Sequence, residues 1–219
     1  MKLLALDLSL KNSGYALFTK NGYLVEKNSI IPAKELSNTF KMHYIVSNLE
    51  QLYDNATDLV IEDLYFGKNF AGIRELARLS GAVVYSWVKA KYKEPIFYMA
   101  STARKLVGIN GRAHKSEIQI WVLKKYFQAI TVEQYESELN LLVASHPIIT
   151  ARKGVSVEAK AASKKNKSKL KRELNKLSIR IYEETGVGED IADSIVLGLA
   201  FIAEGKINEW TRQSSKRIK

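Results

Sequence analysis

The chain has 219 residues, a hydrophobic fraction of 46% and a formal net charge of +11, which suits one domain with a substantial core and room for an insertion. It has no cysteine and three scattered histidines, His43, His114 and His146; this excludes disulfides and thiolate metal sites and argues against zinc. No apolar run reaches the ~18 residues of a membrane span, and no signal-peptide pattern precedes the first apolar run, so cytoplasmic residence with no membrane partner is the expectation.

The first run, Lys2 to Ser9, is apolar on both alternating faces, as in a central strand buried on both sides. Asp7 lies inside it. A lone ionised carboxylate there costs several kcal/mol unless hydrogen bonds or a cation meet it. Gly14–Thr19 and Tyr23–Ile31 flank Asn21-Gly22, a two-residue hairpin signal. These three segments predict an antiparallel meander ended by Pro32. A helical pattern follows from about Lys34 to Asp54. Residues Asp58–Asp63 form a short apolar strand ending in two acids, Glu62 and Asp63. A crossover helix is expected from Phe70 to Tyr92, with Ile73, Leu76, Val83, Val84 and Trp87 inward. Pro95–Ala100 reads as a further strand, with Ser101 or Thr102 capping a short helix after it. The loop Gly108 to Lys115 is Gly-flanked and basic; helices are expected over Lys115–Gln128 and residues 132–145.

Charge is uneven along the chain. Residues 151–180 hold 11 Lys and Arg against 2 Glu, a net of +9, which leaves +2 for the other 189 residues. A cationic block on a nearly neutral fold points to a polyanion, with nucleic acid ahead of a membrane surface. Residues 150–168 read as a mobile connection. Beyond them Leu170, Leu174, Leu177 and Ile181 are spaced 4, 3 and 4 apart, one apolar stripe on a basic helix. The final element, from Gly188, is an apolar helix carrying Asp190 and Asp193 in its first turns. Two acids at i and i+3 share a face, with Cβ atoms roughly 5–6 Å apart. A helix dipole explains Asp190. It explains Asp193 less well, set among Ile191, Ile195 and Val196. All-oxygen carboxylate clusters select hard cations such as Mg²⁺ or Mn²⁺, so Asp7, Glu62, Asp190 and Asp193 form a candidate set.

Four motifs in order then carry a family resemblance. They are Leu6-Asp7 through Ser13-Gly14-Tyr15-Ala16; Val60-Ile61-Glu62-Asp63-Leu64-Tyr65-Phe66-Gly67-Lys68-Asn69, followed by Leu79-Ser80-Gly81; Gly111-Arg112-Ala113-His114-Lys115; and Asp190-Ile191-Ala192-Asp193-Ser194. Each is weak alone. In this order the chain resembles the RuvC-type Holliday junction resolvases of the ribonuclease H-like superfamily, over roughly residues 1–128 and 182–205.

The resemblance implies an α/β fold: a mixed five-stranded sheet with helices on both faces and a basic helical insertion, residues 146–180, within a single nuclease domain of residues 1–219. It implies two Mg²⁺ ions on Asp7, Glu62, Asp190 and Asp193, with Mn²⁺ as the alternative ion, and symmetric nicking of four-way DNA junctions by a homodimer that leaves 5′-phosphate ends. It places an active-site lysine at Lys115, a base-stacking aromatic at Tyr65 with Phe66 beside it, and a second basic position loosely at Lys105. Further DNA contacts are expected from Lys68, Asn69, Arg112, Lys164, Lys165, Lys167 and Lys169. Leu8-Ser9 departs from the family's Pro-Gly, and the long segment over about 131–180 is more like the bacteriophage branch, which would place the protein in a bacterial host's cytoplasm. Rival readings are a nuclease for flaps and forks, hydrolysis of RNA in hybrids, an actin-like ATPase (for which the chain is too short), and a non-catalytic DNA-architecture protein that uses only the basic block.

Overall fold

A computed structural model describes residues 2–19, 21–64, 70–126, 131–147 and 157–216, with side chains described to residue 205 except at 131, 157 and 158. The chain divides into two compact units, residues 1–112 with 190–219, and residues 113–189.

The first unit holds a five-stranded sheet. Its strands are β1 (Lys2–Asp7), β2 (Ser13–Thr19), β3 (Leu24–Ile30), β4 (Asp58–Glu62) and β5 (Ile96–Tyr98), in spatial order β3-β2-β1-β4-β5. The meander is antiparallel, and Gly22 takes the positive φ of +83° that its turn requires. β4 and β5 add in parallel, with Leu6 opposite Ile61 and Glu62 opposite Tyr98. This mixed order is the predicted ribonuclease H-like sheet.

Strand alternation sorts the core into two faces. Leu4, Leu6, Leu8, Leu17, Leu59 and Ile61 pack with Ile45, Leu49 and Tyr53 of α1 (Asn38–Tyr53) and Leu79, Val83 and Trp87 of α2 (Phe70–Lys91). Tyr53 meets Trp87 edge to face at 5.1 Å, and burial pushes its phenol up to about 12. Of the inward positions predicted on α2, Val83 and Trp87 are buried, while Ile73, Leu76 and Val84 are half-buried. On the opposite face lies α7 (Glu189–Lys216), where Gly198 receives the ring of Phe18 so closely that an added Cβ would overlap it.

Several boundaries differ from expectation. α1 starts at Asn38, not near Lys34, because the Ser37 side chain accepts from the Phe40 N–H and caps it. The short helix α3 (Ala100–Leu106) starts after Met99 with no side-chain cap bond, so Ser101 and Thr102 lie inside it.

The second unit packs α4 (Lys115–Tyr126), α5 (Thr131–Ser145) and α6 (Val157–Thr185). α6 corrects the expected connection over residues 150–168: from Val157 onward these residues are helical. Ala and Lys are good helix formers, and no Gly or Pro follows Gly154 before Gly186. The stripe Leu170, Leu174, Leu177 and Ile181 is buried. Tyr135 bonds Glu184, Arg180 pairs with Glu138, and Asn166 donates to the Pro147 carbonyl at 3.2 Å, so α5 runs antiparallel to α6.

Candidate active site

Asp7 is the last residue of β1 and Glu62 the last of β4, each one step beyond the Leu6–Ile61 pair of neighbouring parallel strands. Alternation turns both toward the face that α7 covers. Both line a cavity of about 180 Å³ with Leu8, Asp63, Leu64, Leu76 and Ser80. The strand ends therefore bring two acids 55 residues apart in sequence to one wall.

Gly14 brings in the third. It is paired with Asp7 in the β1–β2 register. A Cβ built on Gly14 would overlap the Asp190 carbonyl carbon and oxygen and come within 2.7 Å of the Ile191 nitrogen. The bare glycine thus seats the first turn of α7 directly beside Asp7. Asp193 follows one turn on. It is 9% exposed, and its Oδ1 accepts from Nη2 of Arg104 at 3.0 Å. Sequence reading named Lys105 and not its neighbour Arg104, whose guanidinium is the partner of Asp193. The available signal was charge: an Asp among apolar residues of a buried helix calls for a cation.

The donor chemistry suits a hard divalent ion, with oxygen ligands only and the carboxylates of Asp7, Glu62 and Asp63 around one cavity. Among the described residues no three His, Asp or Glu side chains are gathered closely enough to hold a metal, and Asp193 is already engaged by Arg104.

The remaining predicted residues are spread. Lys105 is exposed on α3, its side-chain carbons against Gly111, and Arg112 is exposed with its N–H on the Asn110 side chain. Tyr65, Phe66, Lys68 and Asn69 lie outside the described residues. Lys115 opens α4 in the second unit and pairs there with Glu189, which also accepts from Ser178 Oγ at 3.0 Å. Lys164, Lys165 and Lys169 line one open groove on α6 with Arg172, and Lys167 is exposed outside it.

His114 holds the start of α4. Its ring Nδ1 lies 3.3 Å from the Ser116 N–H, and its own N–H donates to Glu117 Oε1 at 2.9 Å, a reciprocal cap. Burial lowers the imidazole from its ordinary value of 6.5, against smaller opposing effects of Asn175, Glu117 and Glu189. The unfolded chain then binds this proton more readily than the folded one, so stability rises with pH across the interval. The melting temperature is expected to be flat above about pH 7 and to fall as pH drops through about 6.5. His114→Asn, which caps without titrating, should remove this part of the slope; an unchanged profile in that variant would assign the pH dependence elsewhere.

The family model described as crossover junction endodeoxyribonuclease RuvC matches residues 3–134. Among solved structures, the chain is similar to Thermus thermophilus RuvC at 10% identity, with 95% of this chain and 97% of that one covered and a TM-score of 0.57. It is also similar to T. thermophilus RuvC in complex with a Holliday junction substrate, at 10% identity, 95% and 96% coverage and a TM-score of 0.58. At that identity the structural likeness speaks for the fold. No curated protein sequence matches the chain.

Proposed function

The chain belongs to the family of the crossover junction endodeoxyribonuclease RuvC, and from that premise we propose that it is a divalent-metal-dependent endonuclease that resolves four-way DNA junctions by paired symmetric nicks. The observation that carries this is the placement of Asp7 and Glu62 at adjoining strand ends, on one cavity, with Gly14 seating the Asp190 turn beside them. Two divalent ions held by Asp7, Glu62, Asp190 and Asp193 would supply the Lewis acid for phosphodiester hydrolysis. The protein's own part is to hold these carboxylates on the sheet and on α7, and to bind the anionic strand with Lys105, Arg112 and Lys115. Products with 5′-phosphate ends follow from hydrolysis on the 3′-oxygen side. Two symmetric cuts call for a homodimer. Residues 146–180 are in this reading an insertion within one nuclease domain, and the site of action is the cytoplasm. Among the described residues no helix is long and apolar enough to cross a membrane.

The test is an immobile four-way junction incubated with Mg²⁺, beside linear duplex and a 3′-flap, with the ends mapped. Symmetric nicks in the junction alone are expected. Equal cutting of the flap would replace the proposal with a broader branched-DNA nuclease. Binding with no metal-dependent cut would replace it with a DNA-architecture protein.

The α6 groove supports backbone contact without sequence readout. Replacing Lys164, Lys165, Lys169 and Arg172 together by Gln should flatten the slope of log K against log salt for duplex DNA. With about 0.9 lost per phosphate contact, the slope is expected to change by roughly 3–4. An unchanged slope would make this face a solvated surface.

A further inference from the structure

A larger cavity of about 670 Å³ opens beside the one that Asp7 and Glu62 line, and the two share Leu8 and Leu76. Leu8, Leu10 and Leu76, buried or half-buried, give it an apolar floor. Three cations from three separate elements also line it: Lys11 from the β1–β2 loop, Lys41 from α1 and Arg74 from α2. Glu75 is the one acid among the described lining residues, and it is already engaged. Its Oε1 lies 3.3 Å from Arg74 Nε and 2.8 Å from Arg78 Nη1, and its Oε2 accepts from Asn38 Nδ2 at 3.5 Å. Lys11 and Lys41 form no ion pair among the described residues. Like charges brought to one groove repel until an anion lies between them.

The loop that carries Lys11 is held in place. Ser13 Oγ donates to the Ser9 carbonyl at 2.7 Å and accepts from the Ser9 N–H at 3.0 Å, and the Lys11 N–H donates to Ser9 Oγ at 3.2 Å. The last bond needs the Ser9 hydroxyl, at one of the two positions where the chain departs from the family's Pro-Gly. A cation on an ordered loop loses less entropy on meeting a phosphate than one on a free loop.

Resting on the nuclease reading, we propose that this groove is a second binding site, for the sugar–phosphate backbone of the cleaved strand. Lys11, Lys41 and Arg74 take the phosphates next to the scissile one on one side of the cut, and the sugars lie against Leu8, Leu10 and Leu76. A strand whose scissile phosphate lies at Asp7 and Glu62 continues past the shared Leu8 and Leu76 into the groove. Contacts of this kind set register without reading sequence. They fix which phosphate reaches the carboxylates, a task that the cations of α6, all on one helix, do not share.

The test is a set of four-way junctions in which single phosphates flanking the cut are replaced by neutral methylphosphonates. Cut positions are mapped in Mg²⁺ on the unmodified junction, and affinities are measured in Ca²⁺. In the wild type, neutral positions on one side of the cut should weaken binding about two- to fivefold each, the range of an exposed ion pair. In the Lys11→Gln, Lys41→Gln, Arg74→Gln triple variant the same positions should become silent, and the slope of log K against log salt should fall by about 2, at roughly 0.7–0.9 per contact. Replacing Lys164, Lys165 and Lys169 by Gln removes equal charge and should leave the interference pattern in place. Interference that survives in the groove variant, or is missing beside the cut in the wild type, would overturn the proposal. If circular dichroism shows that Arg74→Gln disturbs α2, the Lys11→Gln, Lys41→Gln double variant, which keeps the Arg74–Glu75 pair, decides. Wild-type nicking with unmoved interference sinks only the groove, whereas absence of nicking sinks the nuclease reading and the groove's role in it together.

Discussion

Asp7→Asn is expected to abolish junction cleavage and to leave junction affinity within about twofold. The substitution keeps the size and hydrogen-bonding shape of the side chain and removes its charge. A Lewis-acidic ion contributes several kcal/mol of transition-state stabilisation, and each 1.36 kcal/mol is tenfold in rate, so the loss is expected to be on the order of 10³ or more. Binding is governed by phosphate contacts distributed over the basic surface, which Asp7, at a strand end on the cavity wall, does not supply. Nick formation on labelled junction, with gel-shift titration in Ca²⁺ and a melting curve for fold integrity, checks both halves. Retained nicking by a clean preparation would remove Asp7 from the site. Lost binding alongside lost cleavage would make its role structural.

Gly14→Ala is expected to damage the protein in a different way. The new methyl would meet backbone, the Asp190 carbonyl and the Ile191 nitrogen, so no rotamer change relieves the overlap. Overpacking of this kind costs about 1–3 kcal/mol, which for a chain of this size is a drop of several degrees, at roughly 2–4 °C per kcal/mol. The cleavage loss should exceed what stability alone explains, because relief comes by pushing the first turn of α7, with Asp190, away from Asp7. Gly81→Ala is the control. Gly81 is exposed on α2 with nothing within 4 Å of its added Cβ, and Ala is the better helix former there by about 0.5–1 kcal/mol. Opposite shifts in melting temperature for the two variants are the expected result. A Gly14→Ala protein as stable and active as wild type would show that α7 is not seated on β2 as described.

Much of the sheet was legible because its signals are local. The apolar run to Asp7, the Asn21-Gly22 turn and the short strand ending in Glu62 each announce themselves within a few residues, and the parallel addition of β4 follows from the helix that separates it from the meander. The four acids stand out in the sequence as anomalies in apolar surroundings. What sequence reading missed depends on partners distant in sequence. Arg104 gains meaning only when Asp193 is brought to it from 89 residues away. Residues 157–168 carry few apolar positions, so no periodicity marks them, and they are helical as the first turns of a long helix that buries its stripe further on. The start of α3 at Met99 has no capping side chain to announce it.

The seat of α7 on Gly14 joins the two ends of the chain, and this has a consequence for synthesis. Translation proceeds from the N-terminus and domains fold as the chain emerges. All five strands are encoded before residue 99 and can pair early, yet Asp190 and Asp193 are made after more than four-fifths of the protein. Closing so long a loop is slow relative to local pairing. A nascent or C-terminally truncated chain therefore carries Asp7 and Glu62 on a formed sheet but no complete centre. On the proposed reading, cutting of DNA by a chain still being made is deferred until its last helix docks.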